Sequence, residues 1–253
     1  ERLAELGAVG RLKEQRRNVR WTPTDVVEPI VAQLMAHPDD DVRHGYVEAA
    51  GWRYKYREGP AEPLLQSLEH RDSLTRFLAA EGLAKNQNDA GLSILMSAVE
   101  LLSDLRYRQR AVLALGELAN ERSLDLLFQL AADPLHALHA SAVQVIGHLS
   151  DSEKRESIFE ILERIIKNKE SATLNAIRSL RHFNSAAAWK LVRDVARDVE
   201  HPQRGEAIRQ LAFDDQPETK QLILQILEGS DCPVETIISA RRLFGNDSLE
   251  PDY

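Results

Sequence analysis

The sequence has 253 residues, 43 % apolar and 28 % charged, with a net charge of −8. That balance is ordinary for a folded protein. The acidity argues against indiscriminate binding to DNA or to an anionic membrane, while leaving room for a local basic patch.

Aromatics make up only 6 %, and Leu and Ala dominate. This favours helices packed through small side chains over a β-sandwich. The one cysteine, Cys232, excludes an internal disulfide framework and points to a reducing, cytoplasmic setting. No run approaches the roughly 18 apolar residues of a membrane span. The start, Glu1-Arg2-Leu3-Ala4, lacks the basic-then-apolar layout of a signal peptide. With no initiator Met, the sequence reads as a segment of a larger protein.

Residues 1–20 predict a capping helix, with Leu3, Leu6, Val9 and Leu12 on one stripe and a basic C-terminal half. Residues 22–245 predict a single array of helix pairs, and 246–253 a tail or the start of a linker. Glu28-Pro29-Ile30-Val31-Ala32-Gln33-Leu34 is repeated in type by Glu62-Pro63-Leu64-Leu65-Gln66-Ser67-Leu68. Both open the first helix of a pair, with Pro expected in the first turn, where its missing N–H is harmless. Later first helices are expected near Leu92–Leu102, Ser123–Ala131, Ser152–Ile166, Ala186–Val199 and Glu218–Leu227.

The second helices align on an anchor position, occupied by Gly116 in the cleanest copy. Counting back from it, Arg108 stands eight before, Ala111 and Val112 five and four before, and Leu115 one before. Equivalent anchors are Gly51, Ala84, Gly147, Arg181, Ala212 and Phe244, at intervals of 31 to 34 residues. Seven copies at so narrow a period specify a helix-pair solenoid. The expected fold is all-α, a right-handed α-solenoid of about seven antiparallel helix pairs. Gly51, Gly116 and Gly147 are read as structural, letting the paired helix approach. The recurring Arg43, Arg76, Arg108 and Arg204 are also read as structural. A cation near a helix start opposes the dipole, so an ion pair or a hydrogen bond to the preceding turn is expected to hold it. Asp40 and Asp41 are expected to cap the second helix that carries Arg43.

The pattern formed by Asp39, Val42 and Arg43, and then by Ala111, Ala114-Leu115-Gly116 and Leu118, resembles the HEAT repeat superfamily. Its short period is most similar to the bacterial HEAT-like repeats named after phycobilisome lyases. The resemblance covers about residues 23 to 245 and implies a curved stack whose concave face is lined by second helices. It also implies a bacterial source. That family holds scaffolds, bilin-attachment proteins and a peptide hydroxylase, and a related class of alkylpurine glycosylases binds DNA in a helical-repeat groove. The resemblance carries no catalytic residue onto this chain.

No phosphate-binding glycine loop, dinucleotide fingerprint or His-Glu-x-x-His zinc signature is present. The metal-dependent hydroxylases of the family are marked by His-Glu pairs, whereas this chain has Glu69-His70 in reverse order. His136 and His139 have a spacing that would suit two metal ligands, but no metal and no cofactor are expected. Trp189 is read as core and Cys232 as a loop or packing residue.

The most unusual composition is Trp52-Arg53-Tyr54-Lys55-Tyr56-Arg57, with a second run of Arg106, Arg108 and Arg110 around Tyr107. Alternating cations and aromatics can stack on bases and neutralise phosphates. They can equally cover the end of a core, with cationic stems lying over rings. Charge is uneven: residues 1–120 hold 16 basic against 18 acidic side chains, and 121–253 hold 16 against 22.

Three functions follow from this reading. The first is a non-enzymatic scaffold that binds a protein partner, or another domain of the same chain, on its concave face. The second is a DNA-binding, repair-related protein using the 52–57 patch. The third is a bilin lyase-type cofactor-attachment factor.

Overall fold

In a computed structural model the described residues are 24–56, 59–150, 152–229 and 232–245. The expected capping helix, the 246–253 tail and Arg57 lie outside them. Among the described residues the chain is all-α, with fourteen α-helices, one 3-10 turn at Asp89–Gly91 and no strand.

By chain order the helices fall into seven successive pairs. They are α1 (Thr24–Met35) with α2 (Asp40–Tyr56), α3 (Glu62–Ser67) with α4 (Ser73–Ala84), and α5 (Leu92–Leu101) with α6 (Leu105–Leu118). Next come α7 (Glu121–Ala132) with α8 (His139–Gly147), and α9 (Arg155–Lys167) with α10 (Thr173–Phe183). Last are α11 (Ala186–Arg197) with α12 (Arg204–Leu211), and α13 (Pro217–Glu228) with α14 (Val234–Phe244). The chain divides into two compact units, Glu1–Leu126 and Leu127–Tyr253, the division falling inside α7. In the first unit the second helices stack as α2, α4, α6; in the second they stack as α8, α10, α12, α14.

The repeat columns explain this stacking. Five and four residues before the first six anchors stand Tyr46 and Val47, Ala79 and Ala80, Ala111 and Val112, Ala142 and Val143, Ala176 and Ile177, and Ala207 and Ile208, all buried. One before the anchor stand Ala50, Leu83, Leu115, Ile146, Leu180 and Leu211, also buried. Each fully buried branched side chain contributes about 1.5–3 kcal/mol. No single helix could bury such a stripe alone, so stacking is the only way to use it. The first helices supply the facing wall, as Ile158, Leu162, Ile165 and Ile166 do from α9.

Four local expectations are corrected. Pro63 does lie in the first turn of α3, but α1 begins at Thr24, which places Pro29 in its second turn. The cap of α2 is Asp39, whose Oδ1 accepts from the Val42 N–H at 3.0 Å, rather than Asp40 or Asp41, which lie inside the helix. The helix α9 starts at Arg155, three residues after the expected Ser152.

The fourth correction concerns the anchor glycines. They do not admit the paired helix; they admit the next second helix. A Cβ on Gly51 would lie 2.6 Å from the Gly82 Cα, backbone against backbone. A Cβ on Gly147 would meet the Ser179 side chain at 2.0 Å. Gly116 is half-buried.

Relative to the anchor, α2, α4 and α6 begin eleven residues earlier, but α8, α10 and α12 only eight. The second unit has lost one turn from the front of these second helices. The columns that pack survive the loss because they are counted from the anchor.

Candidate functional site

The arginine column works on carbonyls at, or just past, the C-terminal ends of the first helices, where helical partners run out. Arg43 donates from NH1 to the His37 carbonyl at 2.9 Å, and from Nε to Thr75 Oγ1 at 2.9 Å. Arg76 donates to the His70 carbonyl at 2.7 Å. Arg108 reaches the Val99 carbonyl at 2.6 Å, and Arg204 the Ala196 carbonyl at 3.1 Å. Thr173, in the same column, donates to the Ile165 carbonyl at 3.1 Å. A cation that opposes its own helix N-terminus is thereby placed against the negative end of the preceding helix.

Beside Arg43, Asp72 caps α4 by accepting from the Thr75 N–H at 2.8 Å, and it also meets His44 Nε2 at 2.7 Å. Burial works against its charge, but the hydrogen bonds from Thr75 and His44 outweigh burial and hold the carboxyl far below its ordinary value.

The loops between paired helices carry a device that the sequence reading did not single out. In four of them a histidine accepts, at Nδ1, from the backbone N–H two residues on. The pairs are His37 with Asp39, His70 with Asp72, His136 with Leu138 and His201 with Gln203, at 3.0–3.1 Å. A backbone N–H can only donate, so Nδ1 must be unprotonated in each ring. His136 is therefore a turn residue. His139 is buried against Glu170, with Nε2 and Oε2 3.6 Å apart. Among the described residues no group of three or more His, Cys, Asp or Glu side chains is placed to hold a metal ion.

The aromatic–basic run does not form one surface. Arg53 is fully buried and turns into the core, so it cannot meet a ligand at the surface. Trp52 packs on Tyr56 with ring centroids 5.1 Å apart, and the Lys55 ammonium lies 5.7 Å from the Tyr56 ring. Lys55 also pairs with Glu117 at 3.2 Å. Tyr54 is half-buried and Tyr56 exposed.

The second run is also neutralised. Arg106 is exposed but pairs with Asp104 at 2.6 Å. Arg110 is held by Glu48 at 2.7 Å and by Glu81 at 2.5 Å, with its guanidinium over the rings of Phe77 and Tyr107. Burial works against the Arg110 charge, yet Glu81 and Glu48 more than offset it and hold the group well above its ordinary value.

A further cluster of basic side chains lies in the second unit, whose sequence is the more acidic. Between α8 and α10 a cavity of about 200 Å³ is lined by His148, Arg178, Arg181 and His182 over a floor of Asn175 and Ser179. The two imidazoles are 4.8 Å apart. Phe213, 45 % exposed, carries Arg181 at 5.4 Å and Arg242 at 4.0 Å from its ring centroid. A larger cavity of about 470 Å³ is lined by Trp189, Arg193, Asp214, Asp215 and neighbours. Trp189 is itself buried.

Sequence reasoning missed the α8–α10 cluster because its members sit in different columns and are not adjacent in the chain. The available signal was the pair His148 and His182, each one residue past its anchor.

The stacked pairs, the buried columns and the carbonyl-binding arginines are those of a short helical repeat. Residues 27–104 match the HEAT repeats family. Over those residues the chain carries HEAT-like repeats. Among solved structures, these HEAT-like repeats are similar to an engineered protein, with a TM-score of 0.44 and 16 % identity over 91 % of this chain and 73 % of that one. They are also similar to the complex of CpcE and CpcF of phycocyanin lyase from Nostoc sp., with a TM-score of 0.49 and 15 % identity over 88 % and 94 %. No curated protein matches the chain. Among the described residues of the HEAT-like array, no helix is long and apolar enough to cross a membrane.

Proposed function

We propose that this chain is a non-enzymatic scaffold, a segment of a larger cytoplasmic bacterial protein, that holds a protein partner along the exposed side of its second helices. One observation carries the reading. Three residues before each anchor, the second helices present a column that does not contribute to the uniform core. In the first unit it reads Glu48, Glu81 and Leu113; in the second it reads Gln144, Arg178, Arg209 and Arg241. The packing columns repeat the same residue types, whereas this one changes sign. Of its seven members only Glu81 is buried.

Chemical variety on a repeated surface is what recognition requires, because complementary charge fixes register and selects partners. The partner that suits the second unit carries an acidic segment.

A photo-crosslinking residue placed at Leu113 or at Gln144, and for contrast at Leu224 on a first helix, tests this in extracts of the source organism. Crosslinks at Leu113 and Gln144 that disappear when Arg209→Glu is combined with Arg241→Glu agree with the reading. Crosslinks confined to Leu224, or hydrolytic, transferase or lyase turnover by the purified chain, overturn it.

A further inference from the structure

We propose that α14 pairs with α14 of a second copy of this chain, antiparallel, about a two-fold axis at Ile238. This goes beyond the partner reading and does not depend on it. The helix is amphipathic the wrong way round. Its small side chains Thr236, Ser239 and Ala240 are fully buried against the array, and Ser239 donates to the Ile208 carbonyl of α12 at 2.8 Å. Its larger apolar side chains face water. Val234 is 69 % exposed, Ile237 42 % and Ile238 57 %. Among the described residues no other helix leaves three large apolar side chains exposed.

Val234, Ile237, Ile238 and Arg241 stand at i, i+3, i+4 and i+7, the spacing of one continuous helical stripe. The repeat does not explain that stripe. Six residues before the anchor, where Ile238 stands, the other copies carry small or polar side chains, except Leu78, which is buried. Apolar surface left in water costs about 25 cal/mol per Å², and a contiguous patch of it marks an interaction surface.

The charges select the occupant. The first turn of α14 carries the carboxylate of Glu235, and the last turn carries Arg241 and Arg242. A helix that is acidic at its start, apolar in its middle and basic at its end complements itself when reversed. Glu235 lies three residues before Ile238 and Arg241 three residues after it. With Ile238 on a two-fold axis, Glu235 of each copy falls opposite Arg241 of the other, and the helix dipoles oppose. Parallel pairing would set like charge against like. A uniformly acidic or uniformly basic helix would match only one end.

Both ends can respond to a second copy. Among the described residues Arg241 is exposed and has no ion pair. Glu235 is held only loosely, by Arg209 at 3.5 Å. Arg242 is engaged over the Phe213 ring, 4.0 Å from its centroid, which leaves Arg241 as the cation for the second copy. A standard interface buries roughly 800 Å² on each partner, and one helix of 11 residues offers less. The dimer is therefore reversible, with a dissociation constant on the order of 10 μM or weaker.

Sedimentation equilibrium of the full chain, from roughly 1 to 300 μM, tests the pairing. The mean mass should climb from one chain toward two and go no further, because an isologous contact closes. Ile238→Asp sets two carboxylates together on the axis and should remove the dimer. That side chain is more than half exposed, so the thermal melt should stay near that of the parent. Arg241→Glu sets carboxylate against carboxylate on both sides of the axis and should weaken association about tenfold. Adding Glu235→Arg exchanges the signs and should restore the affinity to within about threefold of the parent.

A mean mass that stays at one chain throughout leaves the stripe to a different helix and overturns the proposal. Masses that pass two chains overturn it as well, as does a dimer indifferent to Ile238→Asp. Association unchanged by Arg241→Glu, or lost in it and not restored by the exchange, overturns the antiparallel arrangement. Arg241 also belongs to the charged column of the partner reading. Ile238→Asp leaves that column intact, so crosslinks to a foreign partner should persist in it, and the two readings fail separately.

Discussion

At the scale of single residues, an arginine is defined by what its guanidinium faces. Composition marks Arg53, Arg108, Arg110 and Arg181 as equivalents, yet Arg53 is buried in the core and Arg108 satisfies a carbonyl. Arg110 is a clamp between two glutamates, and Arg181 lies over an aromatic ring. Removing the clamp leaves Glu81, itself 7 % exposed, with only Lys85 at 3.7 Å. Arg110→Met should therefore cost about 2 kcal/mol, less than a fully buried pair because Arg110 is partly solvated. Adding Glu81→Gln should recover part of the loss. Urea unfolding of both variants measures this, and equal stability of Arg110→Met and the parent would show the clamp to be inert.

At the scale of elements, the second helix is set by its neighbours as much as by its own sequence. Gly51→Ala illustrates this. Alanine is the better helix former by about 1 kcal/mol, but the new Cβ would meet the Gly82 backbone, which cannot rotate away. A net loss of about 2 kcal/mol is expected from the forced shift. Gly205→Ala should go the other way, by about 0.5 kcal/mol. Its Cβ would meet only the Glu235 carboxylate, at 3.1 Å and beyond, and that side chain can move. Thermal denaturation of the two variants should show midpoints displaced in opposite directions.

This contrast also marks how far the sequence was legible. The seven pairs and most first-helix boundaries follow from the period, because packing columns must recur at fixed distance from an anchor. The partner of the anchor glycine did not follow, since it depends on the offset between successive second helices. Nor did the burial of Arg53, because an alternating run of rings and cations reads the same on a surface as over a core edge. The loop histidines escaped notice for another reason. Each lies three residues before its second helix, which is fourteen before the anchor at His37 and His70 but eleven at His136 and His201. They share a structural place without sharing a column.

At the scale of the whole molecule, one of those histidines gives the fold a dependence on acidity. His201 works as an acceptor, and a proton on its Nδ1 would abolish the hydrogen bond. At His201 burial, with Lys169 near, pushes the imidazole below its ordinary value. The native state therefore holds it neutral while the unfolded chain takes up a proton. Below about pH 6.5 the unfolded state binds more protons and stability falls; the loss is complete once the folded His201 itself protonates. Asparagine can accept the same N–H through its side-chain oxygen without titrating. His201→Asn should thus flatten the decline in urea midpoint between about pH 7 and pH 5. An unchanged slope would assign the decline elsewhere.

The turn missing from the front of α8, α10 and α12 has a practical meaning for anyone recombining this chain. A repeat here is a cassette indexed from its glycine end, and its leading edge is of variable length. Crossovers cut at the loops would join a long cassette to a short one and throw the arginine out of phase with the carbonyl it serves. Crossovers cut just after an anchor would preserve that phase, so shuffled arrays should be joined there.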